Sequence, residues 1–227
     1  MGERRSGKHI VYYDLLDAVR EAAGCFLCAI EANSIRRYYE SLVHECVNDP
    51  GVREALLRSQ GYCHRHAHYL RSRRSAPAIA ILYEDQVKLF LSLLDRLRSA
   101  SPNSLRTTAH VRRRREVCPA CRVQNDCRNR YCSALIEWFH DPEMRAALDQ
   151  CRGLCVPHFL ALLDKPMDSQ TRWCLIEMQR ARMVSLLGEL AEFRRKQDYR
   201  FSGEELGSES DSWLRAVSMM VGEEGIF

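Results

Sequence analysis

Six cysteines and two histidines recur in this sequence in one order and at one spacing, and all eight are soft metal ligands. Cys25 and Cys28 form a CxxC pair, and a GxCxxH opening at Gly61 supplies Cys63 and His66. Cys118 and Cys121 form a second CxxC, and a second GxCxxH opening at Gly153 supplies Cys155 and His158. Cys63 lies 35 positions after Cys28, and Cys155 lies 34 after Cys121. A CxxC at a helix start points two sulfurs at one spot, and Cys and His at i and i+3 share a helix face. The expected sites are therefore Cys25, Cys28, Cys63 and His66 in the first copy, and Cys118, Cys121, Cys155 and His158 in the second. Three thiolates and a neutral imidazole close a tetrahedron around Zn²⁺ and leave no position for substrate. That implies two structural zinc ions per chain. The same donors suit a [4Fe–4S] cluster, so an iron–sulfur protein in redox sensing or electron transfer is the alternative.

The elements that position these ligands read as helices throughout. Apolar residues at helical spacing predict helices over 10–23, 28–47, 52–59, 63–71 and 77–99 in the first half. The second half predicts them over 121–140, 142–150, 155–163 and 169–196. Asp49-Pro50 and Asp141-Pro142 are paired stop-and-restart signals, with Asp as N-cap and Pro in the first turn. Period-two alternation is almost absent, so the fold class is all-α. Tyr39 with Tyr131, Glu45 with Glu137, Arg53 with Arg145 and Leu56 with Leu148 match at the same offset of 92. The expected architecture is a pseudo-two-fold helical bundle of two repeated units, each with its own Cys3His site. Residues 10–99 are the first unit, 100–116 a linker, 117–196 the second unit, and 197–227 a polar tail. A last short helix from Trp213 to Val221 is expected to dock Trp213, Leu214, Val217 and Met220. Each metal site requires the long helix after CxxC to run out and its insert to lead back.

Composition narrows the function classes. The 227 residues are 46% apolar, enough for a real core, and carry 34 basic against 30 acidic side chains, a formal charge of +4. That balance alone does not argue for nucleic acid or an anionic membrane. The N-terminus has no signal-peptide pattern, and no run of about 18 apolar residues suggests a membrane span. Eleven cysteines without a secretion signal point to a reducing cytoplasm, where clustered thiols hold metal more often than they form disulfides. Cys46, Cys127, Cys132, Cys151 and Cys174 have no counterpart in the other copy and read as small core residues. Glu137 and His140 match one Glu-x-x-His of di-iron bundles, but no second copy accompanies them. The run Arg112–Arg115, with Arg71, Arg73 and Arg74, could contact phosphate and would link the iron–sulfur alternative to nucleic acid, but no interleaved aromatics support base stacking there. With no phosphate loop and no nucleophile–base motif, the sequence reads as a non-enzymatic binding or scaffold protein for a protein or other macromolecule.

Four stretches also carry a resemblance: Asp14-Leu-Leu-Asp-Ala18, Gly24-Cys-Phe-Leu-Cys28, Val47-Asn-Asp-Pro-Gly-Val-Arg53 and Gly61-Tyr-Cys63 with His66. Together they resemble a bacterial family of cysteine-rich helical proteins classed as a domain of unknown function. The resemblance spans about Tyr12 to Phe193 and implies that Cys25, Cys28, Cys63, His66, Cys118, Cys121, Cys155 and His158 are the family's signature. It implies no activity.

Overall fold

A computed structural model of the chain describes residues 9–99, 116–201 and 203–227. The expected linker 100–116, Glu116 apart, and the run Arg112–Arg115 lie outside the described residues. Among those residues there is no strand, and the fold is all-α. In chain order the helices are α1 (Ile10–Glu21), α2 (Phe26–Ser41), α3 (Pro50–Arg58), α4 (His64–Ser72) and α5 (Ala76–Ser99). They continue with α6 (Pro119–Trp138), α7 (Pro142–Gln150), α8 (Val156–Leu163), α9 (Ser169–Lys196) and α10 (Ser212–Val221). A single wider π turn, Leu42–Cys46, prolongs α2.

Local chemistry explains the boundaries. Asp49 Oδ1 accepts from the Val52 N–H (2.9 Å) and caps α3. Asp141 Oδ1 accepts from the N–H groups of Glu143 (3.1 Å) and Met144 (3.2 Å) and caps α7. Pro50 and Pro142 follow in the first turn, where a missing N–H has no partner to lose. Asp168 caps the long α9 in the same way. The repeated acids thus start helices. Arg53, one of the repeated arginines, holds Asp85 with two bonds of 2.7 and 2.8 Å, which ties α3 to α5.

The chain divides into two compact units, and they do not follow the halves of the repeat. The first comprises Met1–Ala32 with Cys127–Phe227, and the second comprises Asn33–Asp126. In the first unit α1 buries Tyr12, Leu15, Leu16 and Val19, the i, i+3, i+4, i+7 stripe of an amphipathic helix. Phe26, Leu27, Leu135, Phe139, Met144 and Leu162 share that core. Tyr12 also donates to Asp141 Oδ1 (2.7 Å), so the cap of α7 anchors α1. The core of the second unit holds Ile35, Tyr39, Leu42, Leu56, Tyr62, Leu70 and Leu82. Burying side chains of this size stabilises by roughly 1.5–3 kcal/mol each.

The last helix forms where expected but rolls the other way. Trp213, Leu214, Val217 and Met220 are exposed, and Arg215 and Met219 lie on its more buried side. Arg215 is held by Glu189 and by Asp211, and Gln179 Nε2 donates toward Met219 Sδ (3.5 Å). The pull of Glu189 on Arg215 outweighs the apolar stripe in setting the rotation, whereas Asp211 is the helix's own N-cap and turns with it.

Candidate metal centres

The eight ligand candidates converge in two groups, with their partners exchanged relative to the expected sites. Cys25 and Cys28 meet Cys155 and His158, and Cys63 and His66 meet Cys118 and Cys121. Each CxxC therefore joins the CxxH of the other copy. The first group, site A, lies wholly in the first unit, and the second, site B, wholly in the second. The expected pairings Cys25/Cys28 with Cys63/His66, and Cys118/Cys121 with Cys155/His158, do not form. Helix length is the reason. The rest of α2 and the π turn, from Cys28 to Cys46, carry the chain about 27 Å beyond Cys28. The nine residues of α3 lead back only about 14 Å at most. The insert is a one-way run, and the same holds for α6 and α7.

Both centres are built from helix N-termini. The Cys25 carbonyl accepts the Ala29 N–H (3.2 Å), and the Cys155 carbonyl accepts the Phe159 N–H (2.8 Å). At site B the carbonyls of Cys63 and Cys118 accept from Ala67 (2.8 Å) and Arg122 (3.0 Å). Those four cysteines thus stand at the caps of α2, α8, α4 and α6. Cys28 and Cys121 follow in the first turn of α2 and α6. Two helix N-termini, each with about half a positive charge, face each cluster and favour thiolates there.

The loop before each CxxH needs glycine. Gly61 has φ +88 and Gly153 φ +91, backbone that a side chain strains. Behind Gly153, Gln179 clamps the next residue: its Oε1 accepts the Leu154 N–H (3.2 Å) and its Nε2 donates to the Leu154 carbonyl (2.7 Å). A Cβ on Gly153 would stand 3.2 Å from both Gln179 Oε1 and Arg182 Cγ, whereas one on Gly61 would meet nothing nearer than Gln86 Oε1 at 3.6 Å. Gly153→Ala should therefore lower stability by about 2–3 kcal/mol and Gly61→Ala by about 1–2 kcal/mol, from strain alone. Thermal melts of the two variants check this, and equal midpoints would argue against the clamp.

In site A the Nδ1 of His158 lies 3.4 Å from Cys25 Sγ, 3.3 Å from Cys28 Sγ and 3.2 Å from Cys155 Sγ. Cys28 and Cys155 sulfurs are 3.7 Å apart. The other ring nitrogen, Nε2, lies 2.7 Å from Glu31 Oε1. Arg128 grips the same carboxylate with bonds of 2.6 and 2.9 Å. Cys28, Cys155 and His158 are fully buried, and Glu31 is 1% exposed.

Site B repeats the arrangement with less cover. His66 Nδ1 lies 3.3 Å from Cys63, 3.3 Å from Cys121 and 3.7 Å from Cys118, and the Cys63 and Cys121 sulfurs are 3.7 Å apart. His66 and Cys118 are buried, and Cys63 and Cys121 are partly exposed. Gln124 holds the sequence position of Glu31, three residues after the second cysteine of its CxxC, but its Oε1 accepts from Arg65 (2.7 Å), and the buried Nε2 of His66 has no hydrogen-bond partner among the described residues. Tyr39, fixed by the repeat, donates to the His66 carbonyl (2.8 Å) and holds α4 in place.

Protons and a cation compete for these donors. Burial disfavours a charged His158, but Cys155, Cys25 and Glu31 around it raise its pKa to about 11. Its neighbour Cys28 is pushed up by its bonds to Cys155 and Cys25 and by burial. Burial also pushes Cys25 up, but bonds to Cys155, Cys28 and His158 outweigh it and hold that thiol below the usual range. Crowded sulfurs cannot all ionise unless a cation sits among them. Site B differs: burial and the Arg65 charge lower His66 to about 4 against the upward pull of the nearby Gln124, and burial with the Cys118 charge raises Cys121 to about 12. The imidazole of site B is thus neutral and ready to bind at pH 7.

Of the cysteines set aside, Cys127, Cys132 and Cys151 are buried in the first core and join neither group. His140 Nε2 lies 2.8 Å from Thr171 Oγ1, which makes it part of the α9 cap region. Sequence reading passed over Glu31, Gln124, Arg128 and Gln179. The shared position of Glu31 and Gln124 after CxxC was the available signal.

No helix among the described residues is long and apolar enough to cross a membrane. A relative from Caldicellulosiruptor sp. (strain Rt8B.4), described as an uncharacterized 23.9 kDa protein in the xynA 3′ region, is 22% identical over 211 residues, covering 88% of this chain and 96% of the relative. No solved structure matches the chain. Residues 7–225 match a family of unknown function (DUF6062), and with nearly the whole chain matched, the protein belongs to that family.

Proposed function

We propose that this is a zinc-stapled helical scaffold: each Cys3His group holds one Zn²⁺, and the two ions fix helix ends rather than take part in a reaction. The donor spacing carries this reading. A tetrahedral ion with metal–sulfur bonds of about 2.3 Å and a metal–nitrogen bond of about 2.0–2.1 Å sets its sulfurs about 3.8 Å apart and each about 3.5 Å from the nitrogen. One sulfur pair in each group, Cys28 with Cys155 and Cys63 with Cys121, stands 3.7 Å apart, all ligand atoms lie within 4.8 Å of one another, and sulfur–nitrogen distances run from 3.2 to 3.7 Å. A [4Fe–4S] cluster bonds each ligand to a different iron and spreads them much further, so the spacing favours a single ion.

Three sulfurs and a nitrogen leave such an ion no open position, which supports a structural role and a non-enzymatic binding protein. The partner in this reading is a protein or another macromolecule. The repeat supports a shared origin of the two centres, with partners exchanged between copies. Metal analysis of protein purified without air tests the proposal: colourless protein with close to two zinc per chain is the expected result. Brown protein with iron and sulfide would replace zinc by the cluster, and metal-free folded protein would overturn both.

A further inference from the structure

Site A is covered by a segment that carries none of its four ligands. After α10, Gly222 adopts φ +88, and Glu223, Ile226 and Phe227 pack against the cluster while Glu224 and Gly225 are exposed. The Glu223 N–H donates to Cys28 Sγ (3.5 Å). The Phe227 ring stands edge-to-face on His158 with centroids 4.8 Å apart, and the Arg128 guanidinium, which also grips Glu31, lies 4.7 Å from the Phe227 centroid. Ile226 is 4% exposed and belongs to the core that contains Cys25, Cys28 and Cys155. Gly222 has no room for a side chain: a Cβ there would be 2.5 Å from the Phe227 ring and 3.7 Å from Cys155 Sγ. Beside the segment lies a cavity of about 800 Å³, and its lining includes Cys25, Cys28, Cys155, Met219, Glu223 and Ile226.

We propose that Gly222–Phe227 is a strap that locks site A, and that its opening is the step through which this site loads and releases its ion. The strap supplies an N–H to one ligand sulfur and packs a ring on the ligand imidazole. Hydrogen bonds of this kind orient ligands and hold a metal, as outer partners generally do. The inference rests on reading site A as a metal centre. It makes the two ions kinetically unequal: site A exchanges slowly, and site B, with Cys63 and Cys121 partly exposed, exchanges fast.

The test is zinc release to excess 4-(2-pyridylazo)resorcinol from the full zinc-loaded chain, after its metal content has been measured. Release should have a fast and a slow phase of equal size. In a chain stopped after Val221, and in Phe227→Ala, the slow phase should quicken by about 10-fold or more while the fast phase stays unchanged. An unchanged slow phase in either folded variant overturns the strap, as does a single phase in the unaltered chain. A variant that fails to fold is replaced by hydrogen exchange on the unaltered chain. Amides of residues 222–227 should lose protection when zinc is removed, because coupling between two sites is reciprocal. Equal protection with and without zinc overturns the proposal. Metal content near zero at the outset would overturn the zinc reading and the strap together, whereas two zinc ions with unaltered release would sink the strap alone.

Discussion

Replacing Cys28 or Cys155 by serine should remove one and the same zinc ion, and replacing Cys63 or Cys121 should remove the other. Each single variant should retain about one zinc per chain. Cys28→Ser combined with Cys155→Ser should still retain one, because both residues belong to site A. Cys28→Ser combined with Cys63→Ser should retain none, although the order of motifs along the chain would put those two residues in one site. The expected loss of stability is large. Apparent binding free energies of structural zinc run to about 10–16 kcal/mol, comparable to the roughly 5–15 kcal/mol that holds a whole domain together. Site A also joins residues 127 apart in the chain, Cys28 and Cys155, and closing a loop of that length stabilises by roughly 5 kcal/mol on the chain-entropy account. Loss of either ligand should therefore melt the first unit at ordinary temperature while the second, with its own core and its own complete site, keeps its ion. Cys174→Ser, which touches neither group, should keep both ions and its melting temperature. Zinc analysis and circular dichroism of the set decide the matter. One zinc in the Cys28→Ser, Cys63→Ser protein would mean that the sites pair within each copy.

What the sequence made legible was local, and what it hid was long-range. Helical periodicity placed α1, α7, α9 and α10 within a residue or two, because amphipathic stripes and Asp-Pro caps are written over a few consecutive positions. The eight ligand candidates were legible for the same reason, since CxxC and CxxH each lie within one helical turn. Pairing between the motifs was not. A twofold repeat of four donors is equally satisfied by pairing within copies or across them, and only the reach of α2 and α6 against the shorter α3 and α7 separates the two. The division into units failed with it, because α2 and α6 each contribute residues to both. Glu31 escaped notice because a single buried carboxylate in a helix looks like any solvent-facing acid until its partners are known. The rotation of α10 depends on Glu189 holding Arg215, a contact between residues 26 positions apart that no local pattern encodes.

Substituting glutamine for Glu31 should weaken zinc binding at site A by about 10- to 100-fold and leave site B untouched. With an ion bound at Nδ1, the imidazole of His158 would carry its one proton on Nε2 and donate it to Glu31, 2.7 Å away. The carboxylate fixes the tautomer, holds the ring plane and makes the imidazole a stronger donor to the ion. Arg128 holds this buried carboxylate with two bonds of 2.6 and 2.9 Å. Glutamine keeps the shape and one acceptor but loses the charge. Glu31→Leu should be worse, because it strands the Arg128 guanidinium and the His158 N–H, and removing one partner of a buried pair costs about 3–5 kcal/mol. The converse change, Gln124→Glu, places a carboxylate beside His66 with Arg65 already at hand and should tighten site B. Competition against a chelator of known affinity, read separately for the two ions, measures all three variants. Unchanged affinity at site A in Glu31→Gln would reduce Glu31 to a partner of Arg128 and leave the inequality of the two centres to their burial alone.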